Sequence, residues 1–149
     1  MQKSLAGALK ISAVLWIIWG LVHVLAGVIV LSGDATSGVQ AIADAVAAES
    51  LENDYHAAVG GILNQHGWNL AWFGLVTLIG AVFIWTGQKT AIWVTAMVGG
   101  LADLGYLLFV DIPGYVNFVP GTVMTIVSGS AIALSVWVWL PDRSTPNEP

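Results

Sequence analysis

Most of this chain consists of long apolar stretches that contain no lysine or arginine. The first of them, from Ile11 to Gly33, runs for 23 residues without a formal charge. At about 1.5 Å per residue, a helix of that length crosses a hydrocarbon core of roughly 30 Å. Three further apolar stretches follow it, so the sequence predicts a single all-α membrane domain, a bundle of four transmembrane helices. The predicted limits of the helices are about 9–32, 63–86, 90–110 and 116–140.

The composition excludes an ordinary soluble domain. Hydrophobic residues make up 57% and charged residues 9% of the 149 residues, whereas charged residues are about 25% of a typical soluble domain. The chain has no cysteine, which excludes disulfide and thiolate chemistry. Its net charge of −5 comes mainly from one predicted loop and the C-terminal tail, so it gives no indication of nucleic-acid binding.

The basic residues predict the orientation of the bundle. Four crossings place all of them on one side of the membrane: Lys3, Lys10, Lys89 and Arg143. Because lysine and arginine concentrate in cytoplasmic segments, we expect both termini, including the tail 141–149, to be cytoplasmic. The loop 33–62 is then external, and it is predicted to contain a short amphipathic helix that lies on the membrane or caps the bundle.

Tryptophans support the same orientation. Four of them fall at the predicted cytoplasmic boundary, where an indole ring is buried while its N–H reaches the headgroups: Trp85, Trp93, Trp137 and Trp139. Trp16 and Trp19 lie deeper in the first helix. We expect these two to pack between helices or to line a lipid-facing groove.

Polar residues inside the spans form the candidate site, because such groups are costly in lipid unless they face the bundle interior. Counted from the lysine-bearing end at about 1.5 Å per residue, His23 and Asp103 both lie at a depth of about 20 Å. The other candidates lie about 22 to 28 Å from that end: Thr125, Asn69, Tyr106 and His66. Each helix carries its small and polar residues on one face, so the sequence predicts a polar pocket that opens outward.

Asp103 is the most informative of these residues. A carboxyl group at that depth must be uncharged or paired with a cation, and His23 is the only candidate at the same depth. We therefore predict a His23–Asp103 pair with further hydrogen bonds from Asn69, Tyr106 and Thr125. The pair is either a ligand-binding or proton-handling site or a structural network that fixes helix register, and the sequence leaves both open.

The three histidines form no recognisable metal or haem motif. None of them is paired four residues apart, and the estimated depths of His23 and His66 differ by about 8 Å, which counts against haem. A divalent ion at the outer mouth would use His56 or His66 with an acidic residue such as Glu52. A solvated acidic loop is the commoner explanation, and the sequence identifies no cofactor.

In size, topology and glycine-rich spans, residues 9–140 resemble the small four-helix bacterial membrane proteins of the DoxX-like type. Most of the resemblance is carried by the segment Trp19, Gly20, Leu21, Val22 and His23. The resemblance implies a component of the bacterial inner membrane, a type sometimes associated with redox systems, and it defines no active site.

Three hypotheses about function follow. In the first, the pocket binds a small or lipid-soluble ligand, such as a quinone or a lipid headgroup, as a binding protein or an enzyme. In the second, the chain is an accessory or assembly subunit of a membrane complex with a purely structural polar core. The third, conduction of protons or ions by an oligomer, is the weakest, because the cytoplasmic half offers few ionisable groups.

Overall fold

The described part of the chain is almost entirely helical. The computed structural model describes residues 2–139, and their side chains from Ala6 onward. Its α-helices are α1 (Gln2–Ser32), α2 (Ala35–Ile42), α3 (Ala48–Leu51), α4 (Ala57–Trp85), α5 (Lys89–Tyr106) and α6 (Val123–Trp139). One π-helical turn, Leu107–Asp111, follows α5, and another, Phe118–Thr122, leads into α6. Residues 2–139 contain no strand, and the predicted tail 141–149 lies outside them.

Four helical segments are long and apolar enough to cross a membrane: Ala6–Ser32, Ala57–Trp85, Lys89–Asp111 and Phe118–Trp139. This confirms the predicted all-α class and the four apolar spans. The second of them begins at Ala57, earlier than the predicted 63. His56 caps its first turn, since Nδ1 accepts a hydrogen bond from the Ala58 N–H at 3.2 Å. The uncharged residues that follow then continue the helix.

Small residues join α1 to α4. Gly20 lies against the backbone of Gly74, and Gly27 lies against that of Gly67. From the first pair to the second, the residue number rises by seven in α1 and falls by seven in α4. The two helices are therefore antiparallel and share a heptad register. The absence of side chains at these positions lets the backbones approach closely, which is how helices pack where no hydrophobic effect drives them together.

Two tryptophans fill the interior. Helix α1 packs against α4 and α6, and α5 packs against the same two helices, so α1 and α5 face each other across the bundle. Trp16 and Trp19 of α1 are 1% and 0% exposed, and their ring centroids are 5.8 Å apart in an edge-to-face arrangement. The Trp16 ring packs directly against Gly99 of α5, in the space that a side chain at position 99 would otherwise fill. The tryptophans therefore pack between helices, the first of the two expected arrangements.

Lysines and tryptophans meet at one end of the bundle. The Lys10 Nζ atom lies 5.3 Å from the centre of the Trp85 ring, and Lys89 Nζ lies 5.6 Å from that of Trp139. Trp93 packs edge-to-face on Trp139, with ring centroids 5.5 Å apart. Cations over indole rings at the ends of apolar helices are typical of a membrane boundary.

The opposite end is covered by the long segment between α1 and α4. Asp34 caps the N-terminus of its helix α2, and the Asp34 Oδ1 atom accepts hydrogen bonds from the Ser37 hydroxyl at 2.7 Å and the Ser37 N–H at 2.9 Å. These two bonds favour the carboxylate, so they hold the pKa of Asp34 below its ordinary value of 3.8. Capping of this kind fixes where α2 starts.

Hydrogen bonds at Asp44 and Ala45, together called the Asp44 clasp, attach that segment to the connection between α5 and α6. Asp44 Oδ1 accepts a hydrogen bond from the Asn117 N–H at 2.7 Å, and the Asn117 side-chain amide donates to the Asp44 carbonyl at 3.1 Å. The Ala45 N–H also donates to the Tyr115 carbonyl at 3.1 Å. The clasp holds α2 across the end of the bundle that lies away from the lysines.

Candidate functional site

Helix α1 positions a histidine directly on a buried tryptophan. Trp19 and His23 are four residues apart and therefore share one face of the helix. Their rings are stacked, with centroids 3.5 Å apart and planes inclined by 17°. The His23 Nδ1–H donates to the Trp19 carbonyl at 2.8 Å. Because Nδ1 carries this hydrogen, the neutral ring presents the lone pair of Nε2 to the bundle interior.

Asp103 reaches the same two residues from α5, across the bundle. Its Oδ2 atom accepts a hydrogen bond of 2.7 Å from the Trp19 indole N–H. Its Oδ1 atom lies 3.8 Å from His23 Nε2, which is longer than a hydrogen bond. The Ser128 hydroxyl is also a neighbour of this carboxyl group, and its single hydrogen has a second acceptor in the Thr125 carbonyl at 3.1 Å. When the imidazole is neutral and the carboxyl group is ionised, Oδ1 and Nε2 face each other as two acceptors.

The charge of Asp103 has no lysine partner in the described side chains. Lys10 and Lys89 lie over tryptophans at the far end of the bundle. The side chains of His23 and Asp103 are only 14% and 5% exposed, and a buried charge is costly unless it is paired. The arrangement therefore requires a hydrogen between Oδ1 and Nε2. Either a proton on one of the two groups or a bound molecule can supply it.

The pair faces a partly open cavity of about 90 Å³. Four polar side chains contribute to its wall: His23, His66, Asp103 and Tyr106. The rest of the wall is apolar or small: Val22, Ala26, Ala41, Ile42, Leu70, Pro120, Gly121 and Met124. An apolar wall with a few convergent polar groups is the usual composition of a small-molecule site.

The roof of the cavity comes from the segment between α1 and α4, and one side comes from the π-helical turn before α6. Ala41 and Ile42 of α2 lie above it, in the segment that the Asp44 clasp holds in place. Gly121, in the π-helical turn before α6, lies against the Tyr106 hydroxyl, and a Cβ there would come within 2.8 Å of that oxygen. Glycine at this position therefore gives Tyr106 its place in the wall.

The structure brings together four of the six predicted site residues, since His23, Asp103, Tyr106 and His66 all line the cavity. Asn69 does not line it. Its Oδ1 accepts from the Trp72 indole at 3.1 Å on the exposed side of α4.

Thr125 is not part of the cavity wall either. Its hydroxyl oxygen is buried and has no hydrogen-bond partner in the described chain. Its backbone carbonyl, by contrast, accepts the hydrogen of Ser128.

The weaker metal candidates are separated. His56 caps α4 through its Nδ1 atom, whereas His66 lies in the cavity wall. Glu52 is the C-terminal cap of α3, in the segment between α1 and α4. Within the described side chains, no three histidine or acidic residues come close enough together to hold a metal ion.

Trp19 belongs to the site but is not among the residues predicted for it. The residue touches both members of the pair, through the stack on His23 and the hydrogen bond to Asp103. The sequence does contain an indication of this role, because an indole N–H at that depth must find a hydrogen-bond acceptor. The spacing of four residues between Trp19 and His23 also placed both rings on one helix face.

No protein-family model matches the chain, and comparison with curated proteins and with solved structures found no similar protein. The geometry of the cavity is therefore the basis for inferring a function.

Proposed function

We propose that the protein is an integral membrane protein whose cavity binds a small or lipid-soluble ligand by its polar end. One observation carries the proposal: His23 Nε2 and Asp103 Oδ1, two atoms that can both accept a hydrogen bond, face each other at 3.8 Å at the wall of a largely apolar cavity. A bound polar group donates hydrogen bonds to these atoms, while the apolar wall accepts the rest of the molecule. A role in redox or proton handling at the same pair belongs to this proposal.

The proposed orientation places the lysine end in the cytoplasm and the cavity toward the outside of a bacterial inner membrane. Lys10 and Lys89 at one end of the bundle support it, through the preference of basic residues for the cytoplasmic side. Because the chain has no cysteine, single cysteines at Gln88 and Asn53 report the orientation. We expect a membrane-impermeant maleimide added to intact cells to label Asn53→Cys and to leave Gln88→Cys unlabelled, and the reverse pattern contradicts the orientation.

Native mass spectrometry of the protein released from nanodiscs tests the binding function. We expect a stoichiometric small molecule on the wild-type protein that is lost from Asp103→Asn and His23→Gln. His56→Gln is the matched control, since His56 lies outside the cavity wall and should keep the ligand. An apo mass for the wild type, with all variants folded and unfolding at similar denaturant concentrations, contradicts the proposal.

The second candidate is an accessory subunit of a membrane complex whose polar core is structural. It is favoured by the near-complete burial of the network, in which Trp19 is 0% exposed and Asp103 4%. Polar contacts between membrane helices often serve only to hold the helices together. Asp103→Asn separates the two candidates, because the amide keeps an oxygen for the Trp19 N–H. A structural network then retains its stability and assembly, and a binding or proton-handling site loses its activity.

A further inference from the structure

We propose that the ligand of the cavity is an amphipathic organic cation, with a primary ammonium group that lies between His23 and Asp103 and an apolar body that lies along the wall. This inference rests on the proposed binding function and names the chemical class of the ligand. Four observations carry it: hydrogen-bond chemistry, distance, charge and the surroundings of the mouth.

Hydrogen-bond chemistry favours a donor with several hydrogens. The Nδ1–H of His23 is used by the Trp19 carbonyl, and Oδ2 of Asp103 is used by the Trp19 indole. What remains for a ligand is two acceptors, Nε2 and Oδ1. A hydroxyl has one hydrogen and can satisfy one of them, whereas an ammonium group has three and can satisfy both.

The distance between the acceptors fits a single nitrogen. Nε2 and Oδ1 are 3.8 Å apart, so one nitrogen atom can lie about 2.9 Å from each of them, at ordinary hydrogen-bond length. A carbonyl or carboxylate ligand would instead bring a third acceptor to this place and add repulsion. The geometry thus discriminates among ligand classes by the number of hydrogens that they present.

Charge points to the same class. Asp103 is buried, and the two described lysine side chains lie at the far end of the bundle. An ammonium group supplies the counterion that a buried carboxylate requires. In the empty site a proton on His23 or Asp103 takes that role, and the arriving cation replaces it. The other titratable groups in the wall are His66 and Tyr106.

The mouth of the cavity attracts cations. No lysine or arginine occurs between Lys10 and Lys89, and the segment that covers the cavity carries only acidic charges: Asp34, Asp44, Glu49, Glu52 and Asp54. Such a one-sign rim raises the local concentration of cations and repels anions. The electrostatic potential of these acidic residues does not depend on the His23–Asp103 geometry, and it also favours cationic ligands.

Three probes with one tail test the inference: octylamine, which is protonated at neutral pH, 1-octanol and octanoate. Their affinities for the protein in nanodiscs are measured by isothermal titration calorimetry at low salt, with empty nanodiscs subtracted. We expect octylamine to bind about ten-fold or more tightly than 1-octanol, and octanoate to bind weakest. We also expect its binding to release a proton, detected as a heat that varies with the ionisation enthalpy of the buffer.

Two carboxyl-to-amide variants locate the effect. Asp103→Asn should abolish the preference for octylamine and leave 1-octanol binding unchanged. Asp54→Asn removes one charge from the exposed rim and should keep the preference. Equal loss in both variants would attribute the preference to the general field and overturn the inference.

The outcomes separate this inference from the proposed function. If 1-octanol or octanoate binds as tightly as octylamine to the wild type, the cavity binds ligands but the cation inference is wrong. If none of the three binds above the empty nanodisc, both are wrong. The wild-type comparison decides the matter even if Asp103→Asn fails to fold.

Discussion

Substitution of Gly20 by alanine tests whether the glycine register holds α1 against α4. A Cβ atom at Gly20 would lie 2.8 Å from the Gly74 carbonyl oxygen, 2.8 Å from Leu78 Cγ and 2.9 Å from Thr77 Oγ1. Ordinary contacts of a Cβ begin at about 3.4 Å, and the Gly74 oxygen belongs to backbone that cannot rotate away. The helices must therefore separate by several tenths of an ångström.

A gap of about 0.5 to 1 Å forfeits a quarter to a half of the attraction at each contact along the interface. Overpacking of this kind typically costs about 1 to 3 kcal/mol of unfolding free energy. The matched control is Gly129→Ala on α6, where a Cβ meets nothing within 4 Å. The control should leave stability unchanged or raise it by up to about 1 kcal/mol, since alanine favours helix over glycine.

Unfolding free energies are measured by titrating dodecyl sulfate into dodecylmaltoside micelles and following the loss of helical circular dichroism. We expect Gly20→Ala to unfold at a clearly lower mole fraction of dodecyl sulfate than both the wild type and Gly129→Ala. Indistinguishable curves for the two variants would refute the reasoning that the close approach at Gly20 stabilises the bundle.

Two other predictions concern single hydrogen bonds. Trp19→Phe removes the 2.7 Å hydrogen bond to buried Asp103. It should lower the unfolding free energy by about 1.5 to 3 kcal/mol, the usual loss for a hydrogen bond to a charged group. The control Trp93→Phe changes a residue that is 46% exposed, and it should lower the unfolding free energy much less in the same dodecyl sulfate titration. Ser37→Ala should raise the pKa of Asp34 toward 3.8 in a carbonyl-detected NMR titration, since the Ser37 hydroxyl is the largest cause of its depression. Because this pKa is lower in the folded state, the capping contribution to α2 is present above the unfolded pKa and is lost as pH falls through the folded one. The protection factors of the α2 amides in the wild-type protein, which correct for the pH dependence of intrinsic exchange, should therefore fall only at acid pH.

Part of the candidate site could be predicted because depth in a membrane follows from counting residues. His23 and Asp103 were placed at one level by the fixed rise of a helix, and the structure has them 3.8 Å apart. The same counting placed Asn69 in the group, yet its side chain bonds to Trp72 on the exposed side of α4. Counting residues gives the level of a residue along the helix axis. The direction in which its side chain points depends on how the helix is rotated about that axis relative to its neighbours.

The sequence by itself determined the number of apolar helices, because the length of an uncharged stretch decides whether a helix can cross a hydrocarbon core. It also indicated which ends carry the lysines and tryptophans, since charge and aromatic position are properties of each segment alone. Only the tertiary structure decided that Trp19 holds Asp103, a contact between residues 84 positions apart. That contact exists because the glycines of α1 and α4 bring their backbones together and leave the two tryptophans of α1 facing α5, a consequence of packing that no single segment contains.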